Sequence, residues 1–307
     1  MDKSNQSTVT EFVLFGFSDL NEHQKSLFVL FLIIYILTLL GNIVIITLIV
    51  SDHRLHTPMY YFLRCLSVVD ICFTSTTIPK LLFDLLHEVK TISFVGCFTQ
   101  LFFFHSIGNM DSFLLALMAY DRYMAICRPL HYTVVMSKKL CFLLVTASWI
   151  TVCLHSLLYA VWISRLSYCR SNSIYHFFCE IAPLFDLSCS DLTIFTLIEL
   201  VEATLILCGP FLFIVISYGC IITTIMKMPT AVAKHKAFST CSSHIAVVTL
   251  FYGSTVAVYV RPPSARSLHS DRYISIMYIA VTPMLNPVIY SLRNKEVKTS
   301  LSKMLCG

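Results

Sequence analysis

Ser26-Leu-Phe-Val-Leu-Phe-Leu-Ile-Ile-Tyr-Ile-Leu-Thr-Leu-Leu-Gly-Asn-Ile-Val-Ile-Ile-Thr-Leu-Ile-Val50 contains no charged residue. About 20 apolar residues suffice for a helix to cross roughly 30 Å of hydrocarbon, so this stretch reads as a membrane span. Six comparable windows follow: Met59–Leu86, Ile92–Tyr120, Leu140–Ser164, Leu192–Met226, Ala237–Val260 and Tyr273–Leu292. Lipid offers the backbone no hydrogen-bond partner, so the spans are expected to be helical. The connections are short. The expected fold is an all-α membrane protein, a seven-transmembrane helix bundle over residues 25–292, with tails at 1–24 and 293–307.

Composition agrees. Apolar residues make up 57% of the chain and charged residues 13%, with a mean hydropathy of +0.76; a soluble domain carries about 25% charged residues. Seven spans put the termini on opposite sides. Thirteen of the 22 basic residues, among them Arg122, Arg128, Lys138, Lys139, Lys234 and Arg293, fall on one side. By the positive-inside rule that side is cytosolic and the N-terminus is outside. The net charge of +5 suits anionic inner-leaflet lipid, and nothing points to nucleic acid. The first two dozen residues are polar and show no cleavable signal, so the first span is expected to act as its own insertion signal. Asn5-Gln-Ser7 in that outer tail is an N-glycosylation sequon.

Most of the 13 cysteines lie within spans or at their cytosolic ends, where thiols stay reduced and pack as small hydrophobes. Cys97, Cys169, Cys179 and Cys189 fall on the oxidising side, where disulfides are expected and three pairings are open. His176-Phe-Phe-Cys179-Glu180 offers metal-ligand types, but a disulfide at Cys179 would remove its thiolate, and a four-ligand zinc set is absent from the motif.

Charged and polar residues inside a bundle are costly and mark functional candidates. Met118-Ala-Tyr-Asp-Arg-Tyr-Met-Ala-Ile-Cys127 places the Asp121–Arg122 pair at the inner end of the third span. Asp70 and Asp111 lie mid-span, and with Asn42 and Asn286 they are able to line a sodium pocket or simply fasten helices together. In Pro283-Met-Leu-Asn-Pro-Val-Ile-Tyr290, Pro287 removes a backbone donor, and Asn286 is placed to bond the freed groups. Lys234-His-Lys-Ala-Phe-Ser-Thr-Cys-Ser-Ser-His244 opens the sixth span from inside. It reads as membrane-flanking charge followed by hydroxyls that bond neighbouring helices.

Leu55-His-Thr-Pro-Met-Tyr-Tyr-Phe62, Met118–Tyr123, Ser217-Tyr218, Lys236–Cys241, Cys179–Asp191 and Pro283–Pro287 occur in order along nearly the whole chain. In these motifs the sequence resembles the olfactory receptors, a branch of the rhodopsin-like G-protein-coupled receptors. The resemblance implies disulfides Cys97–Cys179 and Cys169–Cys189. It also implies coupling to a stimulatory olfactory-type G protein that raises cyclic AMP. Asp111 stands where many olfactory receptors carry Glu, and Phe251-Tyr-Gly253 stands without the sixth-span proline of most rhodopsin-like receptors.

Phe104, His105, Gly108, Asn109 and Ser112 repeat with helical spacing a third to halfway down the third span; Glu202 and Ile206 share a face of the fifth, and Tyr252, Thr255, Val256 and Tyr259 a face of the sixth. The resemblance implies that these faces, with Ile276 and Ile279, converge on a mostly apolar cavity for a small volatile organic molecule. Each lining residue has ordinary interhelical packing as its alternative, and Gly108 in particular suits close helix approach. Glu202 either meets a ligand amine or pairs with a residue such as His105. Ligand occupancy is then expected to free Arg122 from Asp121, with Tyr123, Tyr218, Asn286, Pro287 and Tyr290 serving activation. No cofactor beyond a sodium ion is expected. The implied setting is the plasma membrane of olfactory cilia. A transporter would show internal repeats and a channel a filter or charge ring. Neither appears, and no nucleophile–base set suggests an enzyme.

Overall fold

The computed structural model describes residues 9–169, 171–259, 268–293 and 295–306; the sequon at Asn5 lies outside them. Seven spans form one bundle. They are α1 (Gln24–Ser51), α2 (Pro58–Leu86), α3 (Phe94–Cys127), α5 (Lys138–Ser164), a fifth span of α7 (Thr193–Glu202) and α8 (Gly209–Met226), α9 (Ala231–Tyr259), and a seventh of α10 (Leu268–Ile276) and α11 (Thr282–Arg293). Short α4 (Pro129–Val135) and α6 (Ile181–Asp186) lie in loops, and α12 (Lys295–Cys306) follows the bundle. Among the described residues six helical stretches are long and apolar enough to cross a membrane, with those of spans five and seven, Thr204–Met226 and Arg272–Ser291, counted through their π turns. The sixth span, α9, is 29 residues long and packs against α3, α8 and α11.

Helix starts follow local chemistry. The Ser93 hydroxyl accepts from the Gly96 amide and caps α3, Ser137 caps α5 through Leu140, and Pro58 opens α2 where its missing N–H costs nothing. Several helices outrun their apolar windows: α3 continues past Asp121–Arg122 to Cys127, and α9 begins at Ala231. Lys and Arg are good helix formers, so charge ends the hydrocarbon zone without ending the helix. Two π turns, at residues 203–208 and 277–281, sit just ahead of Pro210 and Pro283. A proline breaks the i→i−4 ladder there, and the wider turn absorbs the break; the Thr282 hydroxyl takes the Met277 carbonyl at 3.0 Å.

The tail at 1–24 is not all loose chain. Strand β1 (Glu11–Leu14) is central in a small sheet, antiparallel to β2 (Thr91–Ser93) and parallel to β3 (Ser173–Ile174), with Phe12 opposite Ile92 and Leu14 opposite Ile174. Alternation turns Phe12 and Leu14 inward. Gly16 follows with φ +28°, and a Cβ there would lie 3.3 Å from Phe177 Cβ. Lipid-facing positions such as Val29, Ile33 and Leu40 are exposed and apolar, as expected where the solvent is hydrocarbon.

Candidate functional site

At the outer end, disulfides Cys97–Cys179 and Cys169–Cys189 tie the long loop after α5 to α3 and to itself. The pairing leaves Cys179 no thiolate for the metal alternative at His176–Glu180. The Gln100 side chain adds a clip: it donates to the Thr76 carbonyl at 3.0 Å and accepts the Cys179 amide at 2.9 Å. Phe177 and Phe178 are buried, and Phe178 lies 4.7 Å from the ring of Phe104. Arg272 binds the Asp19 carboxylate at 2.7 and 3.0 Å and the Gly16 carbonyl, so the N-terminal segment is strapped across to α10.

His176 sits in this lid, 2% exposed, stacked on Phe177. Its Nε2 is 3.6 Å from Glu180 Oε2, too long for a hydrogen bond. Burial first, and the Arg272 charge second, pull the imidazole down to about 3 from an ordinary 6.5. The folded ring is therefore neutral, whereas the unfolded one takes a proton near 6.5. The contribution of this ring to the lid's stability is full above 6.5 and is lost progressively as pH falls toward 3. The thermal midpoint of the purified protein is expected to drop between pH 7.5 and pH 5, and to drop less in His176→Gln. An equal drop in both proteins refutes this assignment.

Below the lid, α3 supplies the predicted face. Phe104 stacks on Phe73 at 5.1 Å and lies edge-on to Tyr278 at 6.2 Å. His105 and Asn109 are half-buried, yet His105 Nε2 and Asn109 Nδ2 are fully enclosed without hydrogen-bond partners. Being four residues apart, they face the same way one turn apart. The His105 ring is 6.0 Å from that of Tyr159. Ser112 and Tyr252 share a hydrogen bond of 2.7 Å, joining α3 to α9. Ile279 is buried, and Ile206 and Ile276 are half-buried.

At Gly108 the close-approach alternative fits: a Cβ would lie 2.7 Å from Tyr278 Oη and 3.2 Å from Phe73 Cε2. Two expectations change. Val256 is 51% exposed and faces lipid, not the bundle. The Thr255 hydroxyl is spent on the Phe251 carbonyl of its own helix at 2.8 Å. The side chains of Glu202 and Tyr259 lie outside the described residues.

Deeper in, Asn286 Nδ2 donates to both oxygens of Asp70 at 3.0 Å, joining spans two and seven. Asn286 therefore does not take the carbonyl released by Pro287. Asn42 does, donating to the Pro283 carbonyl at 3.3 Å from span one. Asp111 is buried within electrostatic reach of Asp70. Asp111 Oδ1, Asn42 Oδ1 and Asn286 Oδ1 are enclosed without hydrogen-bond partners.

At the inner end the expected Asp121–Arg122 ion pair is not among the salt bridges of the described residues. Asp121 Oδ1 instead accepts the Tyr132 hydroxyl of α4 at 2.8 Å, and Arg122 Nε is buried without a partner. Adjacent helical residues point about 100° apart, so the carboxylate held by α4 closes no salt bridge with its neighbour's guanidinium. Tyr218 pairs with neither Arg122 nor Tyr290: its hydroxyl donates to His244 Nδ1 at 2.7 Å, and His244 Nε2 donates to the Leu115 carbonyl at 3.0 Å. The carbonyl cannot donate, which sets the tautomer. His244 thus clips α3, α8 and α9 together. The sequence alone reads it as the end of a flanking run, although a histidine inside the apolar window Ala237–Val260 is itself a signal. Tyr290 is 1% exposed, with its hydroxyl 4.0 Å from Met118 Sδ, and Tyr123 is half-buried.

Comparison with known proteins agrees with this architecture. A family model described as "Olfactory receptor" matches residues 31–307. Olfactory receptor 1C1 of Homo sapiens is 51% identical over 99% of this chain and 97% of its own length. Olfactory receptor 1G1 of Gorilla gorilla gorilla is 50% identical over the same shares, as is olfactory receptor 1f45 of Rattus norvegicus. With a lid, a polar-cored helix bundle and half of all positions shared with nearly full-length relatives, this chain belongs to the olfactory receptor family, multi-pass membrane receptors and not enzymes.

Proposed function

We propose that this receptor takes a small, oxygen-bearing volatile molecule beside α3. Occupancy then passes to a stimulatory, olfactory-type heterotrimeric G protein that raises cyclic AMP. The carrying observation is the pair of enclosed, unpartnered nitrogens His105 Nε2 and Asn109 Nδ2. An unmade hydrogen bond of this kind costs about 1–3 kcal/mol, and a ligand carbonyl or hydroxyl recovers it. The surrounding rings of Phe104 and Tyr159 suit an apolar body. Ile206, Tyr252 and Ile276 complete the ligand-facing set in this reading.

A ligand shifts the bundle only by binding one arrangement better. Spans five and six then open at the inner side, where Arg122, Tyr218 and Tyr290 receive the G protein. A sodium ion is a second occupant supported by the oxygens of Asp111, Asn42 and Asn286 beside Asp70, since hard cations take oxygen donors; it would offset the two carboxylates. Residues 1–24 lie outside the cell with Asn5 glycosylated, residues 293–307 lie in the cytosol, and the receptor works in the plasma membrane of olfactory cilia.

A cyclic AMP screen against chemically diverse volatiles, with surface labelling, tests this. His105→Ala and Asn109→Ala are expected to weaken an agonist's potency about tenfold each, the equivalent of ~1.4 kcal/mol. The lipid-facing Val256→Ala leaves it unchanged. Wild-type potency in both α3 variants at equal surface level refutes the site.

A further inference from the structure

We propose that the cleft between spans three, four and five holds one anionic phospholipid of the inner leaflet. A groove of about 550 Å³ opens there toward the membrane, within the roughly 300–1,000 Å³ of small-ligand sites. Its floor is an i, i+4, i+7 stripe of α3, Phe113, Leu117 and Tyr120, and its inner wall is Leu140 and Leu144 of α5. Gly209 and Phe213 of α8 form the opposite wall, with the Phe213 and Tyr120 rings 6.3 Å apart at the inner end.

Direction and charge identify the occupant. From Phe113 to Tyr120 the stripe descends roughly 10 Å at ~1.5 Å per residue. That is about two thirds of the ~15 Å of hydrocarbon in one leaflet, so the groove takes the headgroup-proximal part of an acyl chain. Its inner end stops at Leu140, and Lys138 and Lys139, both exposed, immediately precede it at the start of α5. A chain seated in the groove carries its phosphate to these two ammonium groups, which favours an anionic headgroup. Gly209 keeps the groove open: a Cβ there meets nothing within 4 Å, so a larger side chain at 209 grows into the lipid's place without disturbing the bundle.

Native mass spectrometry of the full-length receptor in mild detergent, titrated with dioleoyl phosphatidylserine or dioleoyl phosphatidylcholine, tests the site. The wild type is expected to retain one phosphatidylserine at concentrations where it retains no phosphatidylcholine. Lys138→Gln/Lys139→Gln weakens phosphatidylserine retention by about fivefold per lysine, hence about twenty-five-fold together. Gly209→Leu lowers the occupancy of both lipids. Equal phosphatidylserine retention in all three proteins overturns the proposal. So does a Gly209→Leu receptor that retains lipid like the wild type while the lysine variant does not, because the lysines then act as general surface charge. A lipid-free dimer that Gly209→Leu dissociates also overturns it, since a second copy then fills the groove.

Discussion

Arg122→Ala is expected to cut the agonist-driven cyclic AMP response at least about tenfold, a typical size for a lost coupling between sites, while surface expression stays near the wild-type level. The guanidinium is half-buried at the inner mouth, with Nε unpartnered and no ion pair to Asp121 among the described residues. It is therefore available to a partner at the mouth instead of being spent inside the bundle. Removing it costs the fold little, because no described hydrogen bond is broken. Tyr132→Phe gives the complementary test. It frees Asp121 from its 2.8 Å hydrogen bond, lets the carboxylate turn to Arg122, and lowers the response in the same assay. A full response from a well-expressed Arg122→Ala receptor removes the residue from the coupling mechanism.

Breaking Cys97–Cys179 by Cys97→Ser is expected to lower surface abundance about tenfold, because small losses of stability are amplified by cellular quality control. The bridge closes a segment of 82 residues, for which loop entropy alone is worth about 4.5 kcal/mol in a free chain. Helices already inserted in a membrane have less freedom to lose, so lid geometry carries the larger part. Cys179 is the point where the loop dips onto α3. Its amide bond to Gln100 and the burial of Phe177 and Phe178 depend on that anchor. Flow cytometry of labelled surface receptor measures the effect. Unchanged surface abundance shows that Gln100, the sheet and the Arg272–Asp19 strap hold the lid without the bridge.

The amino-acid sequence by itself determined the solvent, the seven spans and the family. Each of these rests on local properties: hydropathy over about 20 residues and motifs short enough to read in order. It also marked Asp70, Asp111 and Asn286 as interior, since a carboxylate or amide in hydrocarbon needs a partner. Tertiary structure alone decided which partner. Asn286 goes to Asp70, Asn42 takes the Pro283 carbonyl from another span, Asp121 goes to Tyr132 of a loop helix, and His244 joins Tyr218 to the Leu115 carbonyl. The physical reason is helix rotation. In water an amphipathic stripe sets which face turns inward, but here lipid and bundle interior are both apolar, so hydropathy leaves the rotation open. Val256 shows the consequence: it follows the helical spacing of Tyr252 and yet faces lipid. Packing of small residues such as Gly108 against Tyr278 and Phe73, together with the few strong polar bonds, settles the rotation and with it the residues a ligand meets.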